Sequence, residues 1–347
     1  MLTLIYFIII LGIIVLVHEF GHFIFAKMFG VYVYEFSIGM GPKLFGKKDK
    51  KNETEYCLRA IPIGGFVQLA GEEVDDDTDI PKNRKIYEKK VWQRFLIMFF
   101  GAGNNFILAL LLLFVYALIW QAPILDPVIT EVTDNYPMAT AGITSGDKIV
   151  AINQHKTSTI DDVQVYLTLY ADGKEVEFKV QKEDGSTTNY KVKPLKEKVD
   201  GNDTYRFGMT FNEGTEKGFV PALKYSFVKF GALMKQMVIV VKSLFTGAIS
   251  LKSLSGPVGI YSIVGQAKSS GIGNMIQLLV LLSVNVGFIN LIPLPAFDGG
   301  RILFLIIEKI KGSPVSTKVE NTIHSIGFIL LMLLLLYVTF NDVLRLF

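Results

Sequence analysis

One cysteine, Cys57, stands among 347 residues, so no disulfide can close within the chain and the redox compartment leaves no mark on it. A lone thiol of this kind reads as a small buried or interfacial side chain rather than a metal ligand. Charge is spare as well. The 35 Lys and Arg against 32 Asp and Glu leave a net charge of +3, which gives no electrostatic footprint for nucleic acid. No basic residue precedes the first apolar run. That run also exceeds the roughly 7–15 residues of a signal-peptide core, so it reads as a retained span. What is abundant is apolar. Half of the residues are hydrophobic and the mean hydropathy is +0.40, a membrane composition rather than that of a soluble globule.

A helix needs about 20 apolar residues to cross a bilayer. Four stretches meet that need: residues 1–30, 94–121, 272–311 and 322–341. Basic residues gather between the first two, from Lys27 through Lys43, Lys47, Lys48, Arg59, Lys82 and Arg84 to Arg94, and again at Lys309, Lys311 and Lys318. The positive-inside tendency puts these segments in the cytoplasm and both chain ends outside.

The first span contains His18-Glu19-Phe20-Gly21-His22. Residues four apart share a helix face, so both imidazoles can reach one ion. Two neutral histidine nitrogens suit zinc, a catalytic zinc keeps room for a third ligand and water, and Glu19 can take a proton from that water. Ionisable groups inside a span are costly and mark function. The span that starts at residue 272 cannot be one regular helix, because Pro293, Pro295 and Gly299-Gly300 interrupt it. Irregular backbone at membrane depth survives where it lines a cavity. Asp298 sits in this break and reads as the third zinc ligand, with helix capping as its alternative.

Residues 31–93 are not an ordinary loop. Val31–Ser37 and Glu55–Ile61 alternate β-branched and aromatic residues, punctuated by Gly39–Pro42 and Pro62–Phe66, and read as short membrane-associated strands. Such an edge could hold an unfolded substrate segment by strand addition, or be structural only. The acidic run Glu72, Glu73, Asp75, Asp76, Asp77 and Asp79 lacks the glycine and spacing of a calcium loop and reads as solvated. Gly101–Phe106 opens the second span with small residues that let helices approach, and Asn105 either packs there or joins the active-site cluster. Residues 126–213 are polar and alternate strand, short helix, strand, a helix after Thr159, and a hairpin around Asp184-Gly185, enough for one small α+β domain. His155 lies in a turn there and reads as a surface residue. Residues 218–247 carry Lys224, Lys229, Lys235 and Lys242 in an apolar background and read as an amphipathic helix at the membrane surface. His324 falls at the edge of the last span and reads as interfacial rather than ligating.

These residues resemble the site-2 protease family of intramembrane zinc metalloproteases, of the bacterial RseP/RasP type. His18-Glu19-x-x-His22 and Asn290-x-x-Pro293-x-Pro295-x-x-Asp298-Gly299 are jointly specific, and Pro62–Gly65, Ser255–Gly259 and Gly101–Phe106 match secondary signatures. Residues 126–213 resemble a bacterial PDZ domain, with Ala141-Gly142 and Gly146-Asp147 in their usual places. The resemblance implies a mainly α membrane protein of four transmembrane helices, a membrane-associated β segment and an inserted PDZ domain. It implies Zn2+ held by His18, His22 and Asp298, and Glu19 as general base. Substrate binding would fall to Asn290, Pro293, Pro295, Gly64, Gly65 and Asn105. The substrates implied are single-span membrane proteins such as anti-sigma factors and remnant signal peptides, cleaved in the bacterial inner membrane with the PDZ domain filtering them from outside. Two departures stand out. Ala102 replaces a proline common in the family, and one PDZ domain fits here where Gram-negative members carry two. Two rival readings are a metal transporter using the same ligands and a membrane scaffold whose PDZ domain binds protein tails. They part from the protease at Glu19→Gln, which spares metal flux in the first and all function in the second.

Overall fold

Long apolar runs free of proline have one way to satisfy their backbone in lipid, which is to coil into helices. The computed structural model describes residues 2–50, 53–72, 79–170, 172–199, 202–212 and 214–345. The acidic residues Glu73, Asp75, Asp76 and Asp77 lie outside them. In chain order come α1 (Leu2–Met28), β1 (Val33–Lys48), β2 (Glu55–Leu69) and α2 (Val91–Trp120). A block of short elements follows: β3 (Ala122–Pro123), β4 (Ile129–Val132), α3 (Pro137–Thr140), β5 (Lys148–Ile152), β6 (His155–Lys156), α4 (Ile160–Leu169), β7 (Val176–Gln181), β8 (Thr187–Val192), β9 (Leu195–Val199), β10 (Asn202–Arg206), β11 (Met209–Phe211) and β12 (Thr215–Glu216). The chain then runs through α5 (Phe219–Phe245), α6 (Pro257–Ser269), α7 (Ile272–Leu291), α8 (Asp298–Lys311) and α9 (Thr317–Leu344). Among the described residues, α1, α2, α7 and α9 are the helices long and apolar enough to cross a membrane. The protein is therefore mainly helical, with strands in two places.

Two compact units divide the chain: residues 1–112 with 251–347, and residues 113–250. In the first unit, Ile10 and Ile14 of α1 pack with Val264 of α6 and Met275 and Leu278 of α7. A second cluster joins the end of α1 to the start of β1, the end of β2 and α2 through Ala26, Val31, Val33, Leu69, Ile97 and Met98. Gly21 lets α2 close on α1, since a Cβ there would overlap the carbonyl of Phe100. Helix α1 stops where Gly30 takes a positive φ of 69° and Val31 N–H turns back to the carbonyl of Ala26 at 2.9 Å.

Short strands joined by turns are what the sequence suggests for residues 31–71. The structure has two long strands that bend on themselves. Residues 35–38 face 65–68 on one side, in antiparallel order, and 55–58 on the other. The bends fall at Gly39 and Gly64, with φ of 85° at each, a conformation glycine adopts without strain. Among the described residues no strand pairs with the other flank of segment 65–69, and Ile38, Met40, Leu44, Phe45, Leu58 and Ile61 are exposed. Exposed apolar residues on a ribbon between apolar helices fit a lipid-facing position.

The second unit has its own core around Phe178, Ile129, Met138, Ile149, Ile152 and Val163. The sheet order is β6-β5-β7-β8, with β4 paired to β11. Thr159 caps α4 by accepting from Asp162 N–H, while the Asp162 carboxylate accepts from Thr159 N–H. Helix α5 lies on α4 through Lys229 to Asp161 at 2.6 Å and Lys235 to Asp162 at 2.9 Å, leaving Phe219, Val220, Phe227 and Phe245 exposed.

The interrupted third span is two helices. Helix α7 ends at Leu291, because the residue before Pro293 must be extended, and α8 begins at Asp298. Helix α6, which packs against α1 and α7, has no counterpart in the periodicity argument.

Candidate metal centre

His18 and His22 are four apart on α1, and both are buried. The turn between α7 and α8 brings Asp298 to them from the far end of the sequence. Nε2 of His18 and Nε2 of His22 are 3.2 Å apart, and Asp298 Oδ2 lies 3.2 Å from the first and 3.4 Å from the second. Asp298 opens α8, yet the helix has no side-chain cap, so its carboxylate is turned to the imidazoles rather than to the helix terminus.

Those distances test which ion the site suits. Bonds of about 2.0–2.1 Å to a tetrahedral zinc place neighbouring ligand atoms about 3.3 Å apart, and the three observed edges bracket that value. His22 Nδ1 donates to the carbonyl of Ile97 at 2.8 Å, so in the neutral ring the lone pair sits on Nε2. Asp298 Oδ2 is buried without a hydrogen-bond partner. The His22 lone pair and the Asp298 carboxylate oxygen, facing one another at this separation, repel, and a cation between them turns repulsion into ligation. A hydrogen bond from the outer nitrogen of a ligating histidine to a carbonyl is the usual support for such a site. The residues present therefore fit zinc.

Gly101 shows how tightly α2 is fitted here. A Cβ built on it would overlap the His22 ring and stand 3.1 Å from Asp298 Oδ2. One helical turn on, Asn104 Nδ2 donates to the carbonyl of Val17 at 3.4 Å.

A cavity of about 710 Å3 opens on the centre, lined by His18, Glu19, His22, Asn290 and Asp298 on one side and Phe66, Val67 and Leu69 on another. Asn290 also donates to the carbonyl of Val286 at 3.0 Å. Gly65 comes next to Glu19, since a Cβ on it would be 3.7 Å from Glu19 Cγ. Gly64 forms the bend just before it, Pro293 belongs to the turn between α7 and α8, and Pro295 in that turn packs on Gly327. Asn105 is fully buried, its carbonyl accepts from Ser283 Oγ at 2.9 Å, and it does not line this cavity.

Three further residues line the cavity. Glu72 and Arg301 form an ion pair in the wall, and His324 of α9 reaches into the lining. Nothing in the local sequence of any of them signals this. Their partners are 229 and 28 residues away.

A second group, Glu35, Glu55 and Cys57, has ligand atoms within 4.8 Å of one another. Its carboxylates already have cations, Arg59 at 2.7 Å from Glu35 and Lys43 at 2.7 Å from Glu55. Burial, and then the Glu35 carboxylate, push the Cys57 thiol up to about 11. These pairs make it a charge network on the hairpin. His155, exposed in the second unit, stacks on Tyr166 at 4.9 Å.

Residues 6–334 match peptidase family M50. The regulator of sigma-W protease RasP of Bacillus subtilis is 34% identical, covering 99% of this chain and 99% of its own. The zinc metalloprotease RasP of Bacillus licheniformis is 32% identical at the same coverage. A protein of Staphylococcus aureus is 35% identical over 100% of this chain and 99% of its own length.

Proposed function

The chain belongs to peptidase family M50, and on that premise we propose that this multi-pass bacterial membrane protein is a zinc metalloendopeptidase that cleaves single-span membrane proteins within the bilayer. The observation that carries it is the meeting at tetrahedral spacing of His18 and His22, on a helix apolar enough to span, with Asp298 at the start of α8. Bound zinc would be held by His18 Nε2, His22 Nε2 and Asp298 Oδ2, and it supplies Lewis acidity that polarises a carbonyl and acidifies water.

This chain's own residues do the rest. Glu19, on the cavity wall, takes the proton from water as its oxygen attacks the scissile carbonyl carbon. As the C–N bond breaks, Glu19 returns that proton to the leaving amine nitrogen. Asn290 holds the substrate backbone. The flank of residues 65–69 opposite β1 takes a stretched substrate segment as an added strand, with Gly64 and Gly65 letting it lie close to Glu19. Pro293 and Pro295 keep the turn open in front of Asp298, and Asn105 of α2 joins that helix to α7 through Ser283. A helical substrate must unwind first, since its carbonyls are otherwise bonded within the helix.

The relative in Bacillus subtilis is named for the regulation of sigma-W, and anti-sigma factors or remnant signal peptides are the substrate class that fits this chain. The second unit, an α+β domain, is read as a PDZ domain that would screen substrates on the outer side. Arg94 pairs with Glu308, which joins the start of α2 to the end of α8 and gathers the basic segments on one side, in keeping with a cytoplasmic position for them. Membership in a peptidase family leaves a transporter or an inert scaffold without support.

The test uses the purified protein in lipid nanodiscs with a tagged single-span peptide whose span contains Gly and Pro. Wild type cleaves it, a zinc chelator stops cleavage, and Glu19→Gln keeps one zinc per chain while losing activity by about 10²–10⁴-fold. Cleavage unchanged in all three would end the assignment.

A further inference from the structure

His324 takes no part in the ligand set, yet α9 carries it to the turn that delivers Asp298. Its Nδ1 accepts the N–H of Ala296 at 3.1 Å. Ala296 has φ of 75°, a left-handed conformation that residues with a Cβ rarely hold unless their surroundings hold it for them. Asp298 is two residues further on. One turn along α9, on the same face, the backbone of Gly327 lies against Pro295 so closely that a Cβ there would overlap the proline ring. The His324 ring also rests on the first turn of α8, where a Cβ on Gly300 would stand 3.2 Å from its Cε1. So α9 grips the turn at three successive places, Pro295, Ala296 and Gly300, on both sides of Asp298.

The rest of α9 is loosely held. In its most apolar window 6% of residues are buried, against 22–39% in the other three spans. A helix with so little packing still sets a half-buried ring against this left-handed turn, so the contact serves the turn.

We propose that His324 is a positioning residue for the third metal ligand, and that α9 sets the aim of Asp298 through it. This rests on Asp298 as a zinc ligand. His324 touches neither the ion nor the substrate in this role. It fixes the peptide plane at Ala296, which fixes where α8 starts and where its first carboxylate points. Loss of such outer support lowers metal affinity by about 10–100-fold in comparable sites.

The experiment measures Zn2+ affinity of the full-length protein by competition with a graded chelator, with no turnover involved. His324→Leu is expected to weaken zinc about tenfold, and His324→Asn, whose Oδ1 can take the place of Nδ1, to recover most of it. Gly327→Ala, which pushes on Pro295 while keeping His324, is expected to weaken zinc as well. In an Asp298→Ala background, His324→Leu should add nothing, because the residue it acts through is gone. Wild-type affinity in His324→Leu would overturn the proposal. So would an equal loss with and without Asp298, which would mean general damage to the fold. If Asp298→Ala alone binds zinc as wild type does, it is the ligand assignment that fails, and the proposal with it.

Discussion

At the scale of residues, the centre tolerates almost no added volume, and Gly101 makes that measurable. Alanine in place of glycine inside a helix gains about 1 kcal/mol of propensity. Overpacking costs about 1–3 kcal/mol, so the two offset in part in fold stability. They do not offset at the metal, because the new methyl would take the space of the His22 ring. Gly101→Ala is therefore expected to fold and insert normally, yet to lose zinc affinity at least tenfold, read by chelator competition beside a thermal melt. A protein that keeps full zinc affinity would mean that α2 can retreat from α1, which the Gly21–Phe100 approach argues against. His18, Glu19 and His22 were legible in the sequence because their geometry is local: four residues on a helix is a fixed displacement. Gly101 was legible only as a small residue. That it faces His22 depends on how two helices cross, which no local pattern encodes.

At the scale of elements, the break between α7 and α8 was readable and the folded hairpin was not. Two prolines and a Gly-Gly pair forbid a continuous helix whatever the tertiary structure, so a turn with Asp298 beside it could be expected. The β1–β2 ribbon carries alternation that says strand, but nothing in alternation says that residues 35–38 pair on both flanks. That arrangement comes from the bends at Gly39 and Gly64. The end of β2 is then tied to α8 by Glu72 and Arg301, one turn past Asp298, and both side chains are partly open to solvent. This ion pair sets the distance between the proposed substrate strand and the metal. Arg301→Glu places two carboxylates together and is expected to reduce cleavage about tenfold or more by moving the edge. Combining it with Glu72→Arg restores the pair with reversed sign and should recover most of the loss, with zinc content unchanged throughout. If the double variant is no better than the single one, Arg301 acts on something other than Glu72.

At the scale of the whole molecule, the apolar composition said membrane, and the spacing of apolar runs said four spans, because the bilayer leaves the backbone few alternatives. Orientation is a different kind of inference, drawn from where lysines and arginines collect, and it can be checked with the same scarcity that opened the sequence. The one cysteine is buried, and burial followed by the Glu35 carboxylate raises its thiol, which keeps it protonated at neutral pH. Cys57 is therefore a quiet background for thiol labelling, and Cys57→Ser silences it altogether. On that background, Ser186→Cys sits in the exposed β7–β8 turn and Lys309→Cys at the exposed end of α8. If the basic segments are cytoplasmic, a membrane-impermeant maleimide labels Ser186→Cys in intact cells and reaches Lys309→Cys only after lysis. The reverse pattern would put residues 113–250 inside the cell, and a domain there could not screen substrates trimmed on the outer side. Labelling of both before lysis would mean that the chain does not cross the membrane between them an odd number of times, and the four-span count itself would have to change.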